Sequence, residues 1–383
     1  MKEKTTQNVR KFNRRDFLMK SALGAGSIGT LSSFQFGNER GDQSRNKQSD
    51  IKINMAGYDV FRVKAFFENK VTIKGCDYTI KKEEIGNINT NLFSGPQSYD
   101  VCEVGLHPFM LAYANNNFRD YSLLPIFPLR MFRHKSVFIR TDRGIKKPQD
   151  LKGKKVGTPG YSSTSLTWIR GIFQDEYGVN PKDIDWVFSS KDSSAKLSGK
   201  VSKQEQVFPE NITVTQGSPG KDESELLVSG EVDALFHAVE PKAFVEGNPI
   251  VARLFPDSRR VEREYYSKTG IFPIMHAIAI KKELLDEHPW LAESVFNAYS
   301  EAKKQHYMFM KQKAWAWDSL PWYTQELDET IKLMGDNFWP YGIEPNSKSL
   351  EALFRYSFEQ GLCKQKLSIK DLFYPGSLEF AEK

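Results

Sequence analysis

The strongest constraint on the fold is an alternation that repeats through the middle of the chain. A short apolar run is followed by a turn rich in Gly, Pro or Ser, and then by a helical stretch. Residues 136–140, Ser-Val-Phe-Ile-Arg, predict a strand closed by the turn Asp142-Arg143-Gly144. Residues 151–160 predict another, stopping at Gly157-Thr158-Pro159-Gly160. Ser162, Ser163, Thr164 and Ser165 then cap a helix whose apolar positions Trp168, Ile169, Ile172 and Phe173 have helical spacing. Strands follow at 185–188 and 212–214, a helix at 223–229 ended by Gly230, and a strand at 232–236. Upstream, residues 52–56 and 99–104 read as strands, the second leading into a helical run over 108–114. The pattern predicts an α/β fold with largely parallel sheets. Such folds take ligands beyond the carboxyl ends of their strands.

The polar, Ser- and Lys-rich segment 190–206 predicts an exposed loop. From Pro289 the chain turns helical, with Trp290, Leu291, Val295, Phe296 and Tyr299 at helix-compatible spacing. Trp315, Trp317, Trp322 and Tyr323 read as core or lobe-edge packing, with a ligand wall as the alternative.

The amino end is not part of that pattern. Asn13-Arg14-Arg15-Asp16-Phe17-Leu18 lies in a basic leader and precedes a weakly apolar Gly/Ala/Ser-rich run over 21–34. This order predicts a twin-arginine signal over 1–37 and a linker over 38–50. The protein is then periplasmic, with the twin-arginine export machinery as a partner. The run is too short for a membrane span, which needs about 20 apolar residues. The 383-residue chain leaves more than one core's worth of body, so two lobes are expected. Its net charge of +6 sits partly in the leader, which argues against a nucleic-acid partner and suits a small anionic ligand. Cys76, Cys102 and Cys363 are far apart and form no CxxC pair, which leaves one disulfide open but selects no pairing.

Four segments carry a resemblance: residues 125–140 (PIFPLRMFRHKSVFIR), 150–179 (DLKGKKVGTPGYSSTSLTWIRGIFQDEYGV), 230–241 (GEVDALFHAVEP) and 269–276 (TGIFPIMH). Together they resemble the 4,5-dihydroxyphthalate decarboxylase family. The resemblance implies a type II periplasmic-binding-protein clamshell. Lobe I would hold 50–130 and 275–383, and lobe II 131–274, with crossings near 128–136 and 272–276. It further implies decarboxylation of a hydroxylated aromatic carboxylate. The chain departs from the family pattern at Gly160, Ser162 and Ser163, and at Val239-Glu240-Pro241, where an arginine is expected nearby. Glu240 in the cleft would change the charge presented to a dicarboxylate.

Such a reaction needs a clamp for the carboxylate, an electron sink and a proton donor in a dry cleft. A ring hydroxyl para to the leaving carboxylate serves as the sink, so no cofactor is expected. Arg130, Arg133 and Arg170 are the candidate clamps, because a guanidinium binds both oxygens of a carboxylate. Arg170 either faces the cleft or pairs with Asp175 or Glu176. Ser162, Ser163, Thr164 and Ser165 offer hydroxyls and a helix N-terminus to the same anion. His276 and His134 are the candidate proton donors, one at each crossing, and Glu103 is a candidate base. His107 and His237, at strand ends, are assigned to substrate binding. Glu103, His107, His237, Glu240 and His276 are metal-ligand types without a ligand spacing, and no metal is expected. Glu103 and His107 are four apart, but Gly105 and Pro108 argue against a regular helix joining them, and His107 is expected in a strand-to-helix loop. The competing reading is an exported solute-binding protein that passes an organic anion to a membrane transporter. A repurposed sensor is a third.

Overall fold

The computed structural model describes residues 51–194, 202–210, 212–314 and 319–383. The leader, its linker, Trp315 and Trp317 lie outside the described residues. The first part of the body supplies strands β1 (Ile51–Gly57), β2 (Cys76–Lys82), β3 (Val101–Gly105) and β4 (Tyr121–Leu124). The middle supplies β5 (Val137–Arg140), β6 (Lys155–Thr158), β7 (Asp185–Phe188), β8 (Val214–Gln216), β9 (Ala234–Phe236) and β10 (Val251–Arg253). Then β11 (His276–Lys281) follows.

Two sheets result, ordered β2-β1-β3-β11-β4 and β10-β5-β9-β6-β7-β8. In the first, β1 is parallel to β2 and β3, while β11 lies antiparallel between β3 and β4. In the second, β6 is parallel to β7 and β9, while β5 lies antiparallel between β9 and β10. Each sheet thus carries one reversed strand, and in each it is the strand just past a crossing. This reciprocal exchange defines the bilobed type II periplasmic-binding-protein clamshell. β8 is added to β7 as an extra edge.

The two crossings run side by side. Arg130 and Ile274 form an antiparallel bridge, the Met131 N–H donates to the Pro273 carbonyl (3.0 Å), and the Met275 N–H donates to the Leu129 carbonyl (2.9 Å). Burial explains the central strands. β11 has sheet neighbours on both sides and reads Ala277-Ile278-Ala279-Ile280, all fully buried. β3 is buried throughout, so its single charged residue, Glu103, is placed inside the protein.

Helix α1 (Ile85–Ser94) packs on β3, and α2 (Leu106–Asn116) starts directly from the end of that strand. This corrects the loop expected around His107. Gly105 is the N-cap, and Pro108 falls in the first turn, where a missing N–H costs no helical hydrogen bond. Helix α3 (Thr164–Tyr177) has Ser163 as N-cap and stops at Gly178, whose φ of 64° favours glycine. Helix α4 (Glu223–Ser229) opens with an Asp222/Glu225 capping box. Helix α5 (Ser347–Glu359) crosses α3 closely, because Gly171 leaves room for the Tyr356 ring.

Of segment 190–206, expected to be an exposed loop, the described residues are mixed: Ser190, Lys191, Lys203 and Gln206 are exposed, while Ser194, Ser202 and Gln204 are buried. Trp322, 70% exposed, is not core. All three cysteines are buried, and none is in a disulfide.

Candidate functional site

A cavity of about 350 Å³ opens where the strand ends of the two sheets meet the crossings. Gly105 ends β3, Pro159 and Gly160 follow β6, Asp192 lies beyond β7, His237 follows β9, and His276 opens the reversed strand β11; all line it. Leu129, Met131, Arg133 and Met275 of the crossings form its floor. A larger cavity of about 460 Å³ lies elsewhere, walled by Phe272, Tyr341 and the segment 378–382. It contains none of the candidate histidines and none of Ser162–Ser165, so the strand-end cavity is the candidate site.

On the first sheet's side, His276 Nδ1 lies 2.6 Å from Glu103 Oε1. Glu103 is 2% exposed, and its Oε2 accepts from the Tyr58 N–H (3.0 Å). The Tyr58 ring stands edge-on to the imidazole at 5.5 Å. Glu103 therefore fixes the ring from behind, and Nε2 remains the nitrogen available to a ligand. The antiparallel register that sets Ile278 beside Glu103 and His276 beside Gly105 makes this pair possible.

On the hinge, Arg133 is 4% exposed and lines the cavity. It donates to the Ala238 carbonyl (2.8 Å) and touches Met275 Sδ (2.7 Å). Among the described residues no carboxylate is within ion-pair distance of it; burial pulls its pKa from 12.5 to about 9, against the more distant charge of Glu262, which raises it. A buried cation without a directly paired carboxylate is costly, and an anionic ligand would supply that pair.

On the second sheet's side, Ser163, Thr164 and Ser165 bring the N-terminus of α3 to the cavity. The first-turn amides there have no place in the helix's own hydrogen-bond ladder. The Thr164 hydroxyl accepts from the His107 N–H (3.1 Å), which locks α2 to α3. Beside this turn, His237 Nε2 faces Asp192 Oδ1 (3.4 Å) and Glu223 Oε1 (3.3 Å). Burial opposes charge on this imidazole, but the bond to Asp192 and the charge of Glu223 outweigh it, so its pKa is raised.

The structure thus brings Arg133, Ser163, Thr164, Ser165, His237 and His276 to one cavity, with Glu103 behind His276. Five other candidates do not line it. Ser162 is buried, donating to the Gln204 carbonyl (3.3 Å) and accepting from the Val207 N–H (3.1 Å). His107 is buried between the Ser162 carbonyl (2.6 Å) and Ser357 Oγ (2.8 Å), and burial lowers its pKa to about 3. His134 sits among Tyr177, Phe255 and Tyr265, and neither ring nitrogen has a partner among the described residues. Arg130 reaches Asn346 and lines the larger cavity. Arg170 neither faces the cleft nor pairs with Asp175 or Glu176; it donates to Gln360 Oε1 (2.9 Å) and the Tyr161 carbonyl (2.5 Å) and stacks on the Tyr161 ring. Glu240 is spent on Arg253, so Val239 alone of that pair lines the cavity. Asp192, Glu223 and Tyr58 escaped the sequence reading, as did Asn89, which lines the cavity and accepts from the Gly105 N–H (3.1 Å). The strand-end rule that found His237 would also have found Asp192, four residues past β7.

The exchanged strands, paired crossings and charged interlobe cavity make this a type II periplasmic-binding-protein clamshell. A family model described as NMT1/THI5 like matches residues 132–204. A 4,5-dihydroxyphthalate decarboxylase from Comamonas testosteroni is 32% identical over 329 residues, spanning 86% of this chain and 97% of that protein. One from Pseudomonas putida is 30% identical over 216 residues, spanning 56% of this chain and 81% of that protein. The chain belongs to the 4,5-dihydroxyphthalate decarboxylase family. Among solved structures, the periplasmic aliphatic sulphonate binding protein SsuA from Escherichia coli aligns at 14% identity and a TM-score of 0.49, over 86% of this chain and 99% of that one.

Proposed function

We propose that this protein decarboxylates a hydroxylated aromatic carboxylate of the phthalate type, held in the interlobe cavity without an organic cofactor. The observation that carries the reading is the joint presence of a buried Arg133 with no carboxylate bonded to it among the described residues and a Glu103-oriented His276 in one cavity. A binding protein needs the first and not the second. Arg133 and the N-terminus of α3 would hold the substrate carboxylates. His276 would deliver a proton to the ring carbon that carries the leaving carboxylate, while the para hydroxyl loses its proton to water and the ring becomes a dienone. The carbon–carbon bond then breaks, carbon dioxide leaves, and the electron pair of that bond restores the aromatic ring as the para phenolate, which takes a proton back from water while His276 is reprotonated from solvent. The net change is one carboxylate exchanged for one proton. The hydroxyl-bearing ring is its own electron sink, which is why neither pyridoxal nor thiamine is called for. The Arg14-Arg15 leader supports twin-arginine export, so the reaction would run in the periplasm.

The test is incubation with a panel of hydroxylated aromatic acids, scoring carbon dioxide release and thermal stabilisation together. Release with one para-hydroxylated member, absent with its deoxy analogue, supports the reading. Stabilisation across the panel without release refutes it and moves the protein to solute binding.

A further inference from the structure

Asp192, Glu223 and His237 are brought together from three separate segments, and their ligand atoms lie within 4.8 Å of one another. We propose that they bind one zinc ion, with its remaining coordination position open to the cavity. This revises the metal-free expectation from sequence.

Four observations carry the proposal. First, His237 Nδ1 lies 2.8 Å from the Val239 carbonyl and 3.3 Å from the Val239 N–H. The shorter contact favours the ring hydrogen on Nδ1, which aims the Nε2 lone pair at the two carboxylates, the orientation that metal-bound histidines are given by an outer partner. Second, Nε2 is 3.3 Å from Glu223 Oε1 and 3.4 Å from Asp192 Oδ1. Charged N–H···O bonds close to about 2.7–2.9 Å. Two ligands on a tetrahedral zinc, each bonded at about 2.0–2.1 Å, stand roughly 3.3–3.4 Å apart. Third, both carboxylates are held in place by serine donors. Glu223 accepts from the Ser193 N–H at Oε2 (3.1 Å) and Oε1 (3.3 Å), and Asp192 Oδ1 accepts from the N–H (2.8 Å) and hydroxyl (2.7 Å) of Ser194. Fourth, Glu223 and His237 have fully buried side chains. Even an imidazolium would leave two carboxylates in the interior with one positive charge between them, and a divalent cation removes that deficit.

Asp192 and His237 line the cavity, so the fourth position is reachable from it. Three protein ligands and one open position is the arrangement of a catalytic rather than a structural zinc. The ligand for that position is an oxygen anion, a carboxylate or ring hydroxylate. The site stands on this geometry whether or not the cavity decarboxylates anything.

The experiment strips the full protein with a chelator, reloads it with Zn²⁺, and measures bound zinc after desalting together with affinity by calorimetry. Wild type takes up one zinc per chain, and Asp192→Asn and His237→Gln each weaken it by at least about 100-fold. Melting temperature is recorded with and without chelator, and only wild type shifts. Asp192 lies at the cavity edge, so its variant keeps the test open if His237→Gln misfolds. Wild type that takes up no zinc, or variants that bind it as tightly, would overturn the proposal. Carbon dioxide release is scored separately. Turnover by zinc-free protein overturns a catalytic role for the metal and leaves the decarboxylase reading intact. One zinc per chain without turnover on any acid upholds the site and removes that reading.

Discussion

Arg133→Met separates binding from folding, because the two should move in opposite directions. The guanidinium is 4% exposed, and burial depresses its pKa from 12.5 to about 9. At about 1.4 kcal/mol per pKa unit, holding that charge costs on the order of 4–5 kcal/mol. Its removal leaves the Ala238 carbonyl without this donor, a loss of about 1–3 kcal/mol. The net is a gain of roughly 2 kcal/mol, seen as a rise of a few degrees in melting temperature. Ligand binding should go the other way. A substrate carboxylate left in the cavity without its charged partner loses about 3 kcal/mol, or roughly 150-fold in Kd. Calorimetry with a non-reactive ring dicarboxylate reads the second quantity, and a melting curve on the same preparation reads the first. A variant that melts lower and binds within about threefold of wild type would show Arg133 to be a structural residue and refute the clamp.

Other outcomes follow from the same structure. Burial holds His134 at about 4, while the unfolded chain takes up its proton near 6.5. The unfolded state therefore binds more protons as pH falls, and stability drops by ~2 kcal/mol between about pH 8 and pH 5 from this residue alone. His134→Phe, set among Tyr177, Phe255 and Tyr265, should flatten the acid limb of melting temperature against pH. An unchanged slope would mean that this imidazole is charged in the folded protein. Replacing Arg14 and Arg15 together by Lys should hold the protein in the cytoplasm, measured by fractionation. Export equal to wild type would remove the twin-arginine assignment.

The elements that sequence revealed are those with local signals. β5, β7 and the helix α3 announce themselves by apolar runs, a hydroxyl cap and a terminating glycine. β2 was missed because Cys-Asp-Tyr-Thr-Ile-Lys-Lys is a sheet edge with mostly solvated side chains, so it shows little apolar alternation. α1 was missed because its Ile-Gly-Asn-Ile-Asn-Thr-Asn run has poor helix formers and is held by burial of Ile85, Ile88 and Leu92. Strand ends and crossings point to Arg133, Ser163–Ser165, His237 and His276, and all of these line the cavity. His107 and Arg170 looked equivalent in sequence. Their partners Ser357 and Gln360 lie 250 and 190 residues away, and nothing local shows that such distant groups will enclose them. Asp192 is hidden for the opposite reason, because a polar, Ser-rich segment reads as solvated until its fold is known, and Glu223 because an acidic residue opening a helix reads as an ordinary first-turn carboxylate.

The central claim is that His276, oriented by Glu103, hands a proton to the ring carbon as carbon dioxide leaves. The direct measurement is the rate of carbon dioxide release from 4,5-dihydroxyphthalate by His276→Gln and wild type at saturating substrate. General acid–base groups contribute about 10²–10⁴-fold, so the variant should fall by that factor while its affinity for a non-reactive analogue changes only modestly. Equal rates in the two proteins would contradict the account.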